Sequence, residues 1–95
     1  MLKVGLIGAG FIGIEHANAY KNLDNVRLAA IADANEEIGK KVAEEFNCDY
    51  YSDADEMMKS DDIDIIDICV PTFLHEKYAL MAASYKKHIL CEKPF

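Results

Sequence analysis

No apolar run in the 95-residue sequence approaches the roughly 20 residues that a helix needs to cross a bilayer. A secretory leader is not expected either. Met1-Leu2 leads straight into Lys3-Val4-Gly5-Leu6-Ile7, with no charged n-region and no small-residue cleavage site. Basic charge is scarce: 10 Lys+Arg stand against 17 Asp+Glu, the net charge is −7, and no basic stripe marks the chain. Nucleic acid and anionic membrane are therefore excluded as expected partners. The three cysteines (Cys48, Cys69, Cys91) are odd in number and widely spaced, and no C-x-x-C occurs. Neither a disulfide framework nor a zinc ribbon fits that pattern, so reduced thiols in a cytoplasmic protein are expected. Linkers, low-complexity tracts and internal repeats are also missing.

What is present builds a core. An apolar content of 52% against 28% charged argues against disorder. The length is that of one domain, and such a domain buries roughly 65% of its unfolded surface. Two hydrophobic periods alternate along it. Residues 2–7, 26–32, 48–51, 64–70 and 88–91 read as short strands. Residues 11–22 carry Phe11, Ile14, Ala17 and Tyr20 at helical spacing. A second helix opens near Asn35, a suitable N-cap before Glu36 and Glu37, and carries Ile38, Val42, Ala43 and Phe46 on one face. Residues 53–59 read as a short helix with Met57 and Met58, and Leu74, Tyr78, Met81, Ala82 and Tyr85 mark another. Pro71-Thr72 closes the fourth strand, since proline cannot extend it.

Strands alternating with helices at this spacing predict a parallel sheet covered on both faces, with right-handed crossovers. The expected fold class is α/β: a Rossmann-like three-layer αβα sandwich over residues 1–95, with about five strands in the order 3-2-1-4-5. The chain stops just after a strand, so a domain truncated before its last strand is expected. The apolar edge His88–Cys91 would then invite pairing with a second copy, and a homo-oligomer joined there is expected.

Gly8-Ala9-Gly10-Phe11-Ile12-Gly13 fits G-x-G-x-x-G. The string alone is weak, but here it follows a predicted strand and opens a predicted helix. Gly8 permits the tight turn, Gly10 lets a pyrophosphate approach the backbone, and Gly13 lets helix and strand pack closely. The bare amides of this turn, those of Phe11 and Ile12 among them, and the helix dipole favour an anion. Asp33 lies 20 residues after Gly13, at the end of the second strand. A carboxylate there reaches the adenosine ribose hydroxyls. It also opposes a 2′-phosphate: two unit charges about 4 Å apart repel by roughly 4 kcal/mol at an effective dielectric near 20. No arginine follows Asp33; Ala34, Asn35, Glu36 and Glu37 do. NAD is therefore expected over NADP. The bland alternative is that Asp33 is an ordinary cap or turn residue.

Strand C-termini in such sheets face the ligand crevice. Pro71, Thr72 and His75 are thus placed to border a nicotinamide ribose. Glu92-Lys93-Pro94 follows the fifth strand at the same edge, where a lysine can hydrogen-bond a substrate oxygen and ease proton movement, with its backbone fixed by the proline.

Taken together, the glycine turn with His16, Asp33, Pro71-Thr72 with His75, and Lys87-His88-Ile89-Leu90-Cys91-Glu92-Lys93-Pro94-Phe95 resemble the Gfo/Idh/MocA oxidoreductases, the glucose–fructose oxidoreductase and inositol dehydrogenase relatives. The resemblance runs from Met1 to Phe95. It implies the N-terminal part of an NAD(P)-binding Rossmann domain, from an enzyme that oxidises or reduces a sugar, inositol or similar polyol. It implies that Lys93 orients substrate and assists proton transfer, and that Glu92 helps position the nicotinamide side of the cofactor. Members also carry a C-terminal α/β substrate domain, absent from this chain, which supplies a histidine and often an aspartate. Turnover by the chain alone is not expected.

Several residues carry two readings. His16, one turn into the first helix, suits packing or capping better than chemistry. His75 either borders the ligand or hydrogen-bonds its own loop. His88, Cys69 and Cys91 read as structural, and Tyr78, Met81 and Tyr85 as core. Three functions compete: a hydride-transferring enzyme, a dinucleotide-binding module without turnover, and a truncated half-fold that self-associates.

Overall fold

The computed structural model of the chain describes residues 1–91. The expectations for Glu92, Lys93 and Pro94 fall outside the described residues. The elements run β1 (Leu2–Ile7), α1 (Phe11–Lys21), β2 (Val26–Ala32), α2 (Glu36–Glu45), β3 (Asp49–Tyr51), α3 (Ala54–Met58), β4 (Ile65–Ile68), a single 3-10 turn (Thr72–Leu74), α4 (His75–Ser84) and β5 (His88–Cys91). All strand pairs are parallel and the sheet order is β3-β2-β1-β4-β5. This is the expected three-layer architecture.

β1 lies at the centre because its residues are apolar on both faces. Val4 and Leu6 point to one layer and Ile7 to the other, and all three are buried. The first layer holds α1 and α2, with Ala17, Val42 and Ala43 packed against Val4, Leu6, Leu28 and Ile31. The second holds α3 and α4, with Met57, Met58 and Ala82 against Ile7, Ile66 and Ile68. Burying each large aliphatic side chain contributes about 1.5–3 kcal/mol. A bulge between Val4 and Gly5 inserts one extra residue in β2, so Ala29 and Ala30 both serve the second layer.

Asn35 caps α2 as its sequence suggests: its side-chain oxygen accepts from the Ile38 amide at 3.1 Å. Asp53 does the same for α3. Two apolar residues that fit the helical spacing lie outside the core. Phe11 is 82% exposed and Ile38 45% exposed. Phe11 begins its helix at the open end of the sheet, beyond the strands it would pack on. On α2 the buried line is Gly39, Val42 and Ala43. There the Tyr50 ring packs so tightly on Gly39 that an added Cβ would sit 2.2 Å from it.

Candidate functional site

Three strand ends converge at one end of the sheet. Gly8 leaves β1 with φ +100°, donates its amide to the Ala32 carbonyl at the end of β2 (2.9 Å), and passes close to the end of β4. A Cβ at Gly8 would lie 2.5 Å from the Cys69 carbonyl oxygen. A Cβ at Gly13 would lie 2.0 Å from the Gly8 carbonyl oxygen, so α1 can close onto the turn only with glycine there. Gly10 differs from both: nothing lies within 4 Å of an added Cβ. It caps α1 without a side-chain hydrogen bond. Its missing side chain serves no packing need, and it leaves space above the first-turn amides, which lack intrahelical partners.

Asp33 follows β2 and faces this turn. One carboxylate oxygen accepts from the Ala9 amide at 2.7 Å and the other from the Asn35 amide at 2.8 Å. Its own amide donates to the Tyr51 carbonyl, and its carbonyl accepts from the Tyr50 hydroxyl at 2.7 Å. Burial, helped by the nearby Glu36 and Asp33 charges, raises the Tyr50 hydroxyl pKa and keeps it a donor. The turn reading of Asp33 is therefore correct as far as it goes. A carboxylate has about four acceptor positions, and two amides leave room for further donors. Between Gly8 and Asp33 on one side and Ser52, Val70, Leu74 and Tyr78 on the other lies a cleft of about 240 Å³. A larger recess of about 380 Å³ lies at the opposite strand ends, beside Leu23, Arg27 and Phe46. It has no glycine turn and no helix N-terminus beside it.

The residues after β4 form the far wall. The Leu74 amide donates to the Pro71 carbonyl in the 3-10 turn. His75 Nε2 lies 2.7 Å from the Val70 carbonyl. A carbonyl only accepts, so the proton sits on Nε2 and the ring braces its own loop. Phe73, in the middle of that turn, is 82% exposed.

Beneath the turn lies a group that periodicity alone did not single out. Asp67 in β4 is fully buried, and His16 Nδ1 lies 2.7 Å and the Tyr20 hydroxyl 2.6 Å from its Oδ2. Cys69 Sγ is 3.2 Å from His16 Nδ1 and 3.4 Å from Asp67 Oδ1. Burial, and then the Asp67 carboxylate, push the Tyr20 hydroxyl far above its ordinary pKa, so it stays a donor. His16, Asp67 and Cys69 are a possible metal donor set, with ligand atoms within 4.8 Å of one another. Their donor atoms already contact one another closely. The Cys48 thiol is pushed up to about 11, mainly by burial and then by Asp49, so it is a poor nucleophile.

The fold and this crevice have known counterparts. The Gfo/Idh/MocA family, an oxidoreductase family with an NAD-binding Rossmann fold, matches residues 2–95. This chain belongs to that family. It is 33% identical over 94 residues to myo-inositol 2-dehydrogenase from Thermotoga maritima, covering 98% of this chain and 28% of that protein. Among solved structures, an NAD binding oxidoreductase from Klebsiella pneumoniae superimposes with a TM-score of 0.89 at 34% identity, over 98% of this chain and 27% of that one. Levoglucosan dehydrogenase in complex with NADH gives 0.89 at 37% identity, over 98% and 28%. The chain thus spans little more than a quarter of the length of these Gfo/Idh/MocA relatives.

Proposed function

We propose that this chain is the dinucleotide-binding part of an oxidoreductase that moves hydride between nicotinamide and a sugar, inositol or related polyol. The observation that carries the reading is the contrast among the three glycines. Gly8 and Gly13 are demanded by neighbouring backbone, whereas Gly10 stands over open space beside first-turn amides that have no partner within the helix. Such a cradle suits a diphosphate. In this reading the amides of Gly10, Phe11, Ile12 and Gly13 hold the diphosphate, and Asp33 accepts the adenosine ribose hydroxyls with its unused lone pairs. Bound nicotinamide would supply the hydride chemistry. Pro71, Thr72 and His75 border its ribose, His75 by holding the Val70 carbonyl in place. Glu92 and Lys93 keep the roles the family resemblance implies, Lys93 as the group that orients substrate and moves a proton. Two relatives, a myo-inositol 2-dehydrogenase and a levoglucosan dehydrogenase, support the choice of substrate class.

NAD is favoured over NADP. On α2 the Lys40 ammonium is held by Glu36 at 2.6 Å. Asp33→Ala is expected to weaken NADH binding about tenfold or more, the loss of hydrogen bonds to a charged acceptor. It is also expected to shrink the preference for NADH over NADPH. Calorimetric titration of both nucleotides reads this, and an unchanged ratio would remove the ribose assignment.

A second reading, self-association of the chain through β5, has its own support. Ile89 and Leu90 are 41% and 47% exposed on that strand. A monomer in sedimentation at high micromolar concentration would refute it. A cytoplasmic location fits the thiol chemistry, and no helix among the described residues is long and apolar enough to cross a membrane.

A further inference from the structure

Among the described residues, one buried side chain is charged, and it lies on the sheet face that α1 covers. Asp67 follows the strand alternation between Ile65 and Cys69, so its carboxylate points into the layer between β4 and α1. Burying a carboxylate costs several kcal/mol unless its partners are well placed, and an apolar residue of similar volume often serves stability as well or better. The folding of β4 therefore does not explain it. Its partners do. His16 and Tyr20 stand four residues apart, on one face of α1, and both reach the same oxygen, at 2.7 and 2.6 Å.

The larger apolar side chains of α1 fix its position only in part: Ile14 and the Tyr20 ring are partly buried against the sheet. Its fully buried residues are Gly13 and Ala17, too small to interlock deeply with the sheet. Apolar contact of that kind permits sliding and rotation, whereas hydrogen bonds donated to one fixed oxygen do not. The N-terminus of the same helix carries Gly10 to Gly13.

We infer that Asp67, through His16 and Tyr20, is a positioning residue that sets the register of α1 and so the location of the Gly10–Gly13 amides. The inference rests on the reading of those amides as a diphosphate cradle. It makes Asp67 a supporting residue of the site, in contact with neither nucleotide nor substrate.

Tyr20→Phe removes one hydroxyl and keeps the ring; Asp67→Asn keeps the shape and removes the charge. NADH and ADP-ribose are titrated by calorimetry, and adenosine, which has no diphosphate, by amide NMR shifts. Both variants are expected to bind NADH and ADP-ribose about tenfold more weakly, the scale of a coupling carried through residues that touch no ligand. Adenosine affinity is expected to stay unchanged. Equal weakening of all three ligands would show a general structural role and overturn the inference, as would undiminished NADH binding by folded variants. Should Asp67→Asn fail to fold, Tyr20→Phe decides the matter alone. Absence of NADH binding by the unsubstituted chain would instead overturn the cradle itself, and the inference with it.

Discussion

Gly8→Ala is expected to destabilise the chain by about 3 kcal/mol, while Gly10→Ala costs at most about 1 kcal/mol and removes most of the affinity for NADH. Two penalties add at Gly8. Its φ of +100° is one that L side chains rarely adopt, and the new methyl would sit 2.5 Å from the Cys69 carbonyl oxygen. Strained backbone costs about 1–3 kcal/mol and overpacking about the same. For a domain of this length, 3 kcal/mol lowers the melting temperature by more than about 10 °C. Gly10 has φ −77° and ψ −164°, an extended conformation open to any residue, and nothing within 4 Å of the added Cβ. Only the modest difference between glycine and alanine as an N-cap remains, up to about 1 kcal/mol. The methyl would instead fill the space a diphosphate needs, and a loss of about a hundredfold or more in NADH affinity is expected, about 2.7 kcal/mol. Thermal denaturation and calorimetry on the two variants separate the glycine that folds the turn from the glycine that admits the ligand. Full NADH affinity in Gly10→Ala would contradict the assignment.

The second large effect concerns Lys93. In a protein carrying this segment together with a substrate domain, Lys93→Ala is expected to lower kcat by about 10²–10⁴-fold, the usual contribution of a positioned proton-transfer group. The dissociation constant for NADH is expected to change little. A residue that assists the reacting oxygen acts on the rate; a residue that merely holds cofactor acts on affinity. A loss confined to NADH affinity would transfer Lys93 from chemistry to binding. Steady-state rates with inositol and sugar substrates, beside NADH titrations, distinguish the two.

The sequence made the sheet legible because parallel strands buried on both faces are nearly continuous apolar runs. Val26–Ala32 and His88–Cys91 match the strands read from it residue for residue. The glycine turn was legible too, since strand, turn and helix follow in fixed order, and Asp33 by its distance from Gly13. The environment of Asp33 was not. That it is held by the Ala9 amide, 24 residues away, is a fact of tertiary geometry. Phe11 and Ile38 fit helical periods and yet face solvent, because periodicity says which residues share a face and nothing about whether a neighbour covers the end of it. By sequence Asp64 and Asp67 are alike, acids at the start and middle of the segment 64–70. Asp64 lies at the strand's edge and accepts from the Lys3 amide at 2.9 Å, whereas Asp67 is fully buried. A usable signal did exist: an inward-facing acid in a strand covered on both sides requires partners. His16 and Tyr20, four apart on the adjoining helix, are what that requirement should have sought.

The central claim is that the turn after β1 holds a diphosphate while Asp33 holds the ribose behind it. Amide-resolved NMR of the chain titrated with NADH tests both halves at once. Saturable shifts centred on Ala9 to Gly13 and on Asp33 to Asn35, absent from residues around Leu23 and Phe46, are the expected result. Saturable shifts at the opposite strand ends alone, or none anywhere at millimolar NADH, would contradict it.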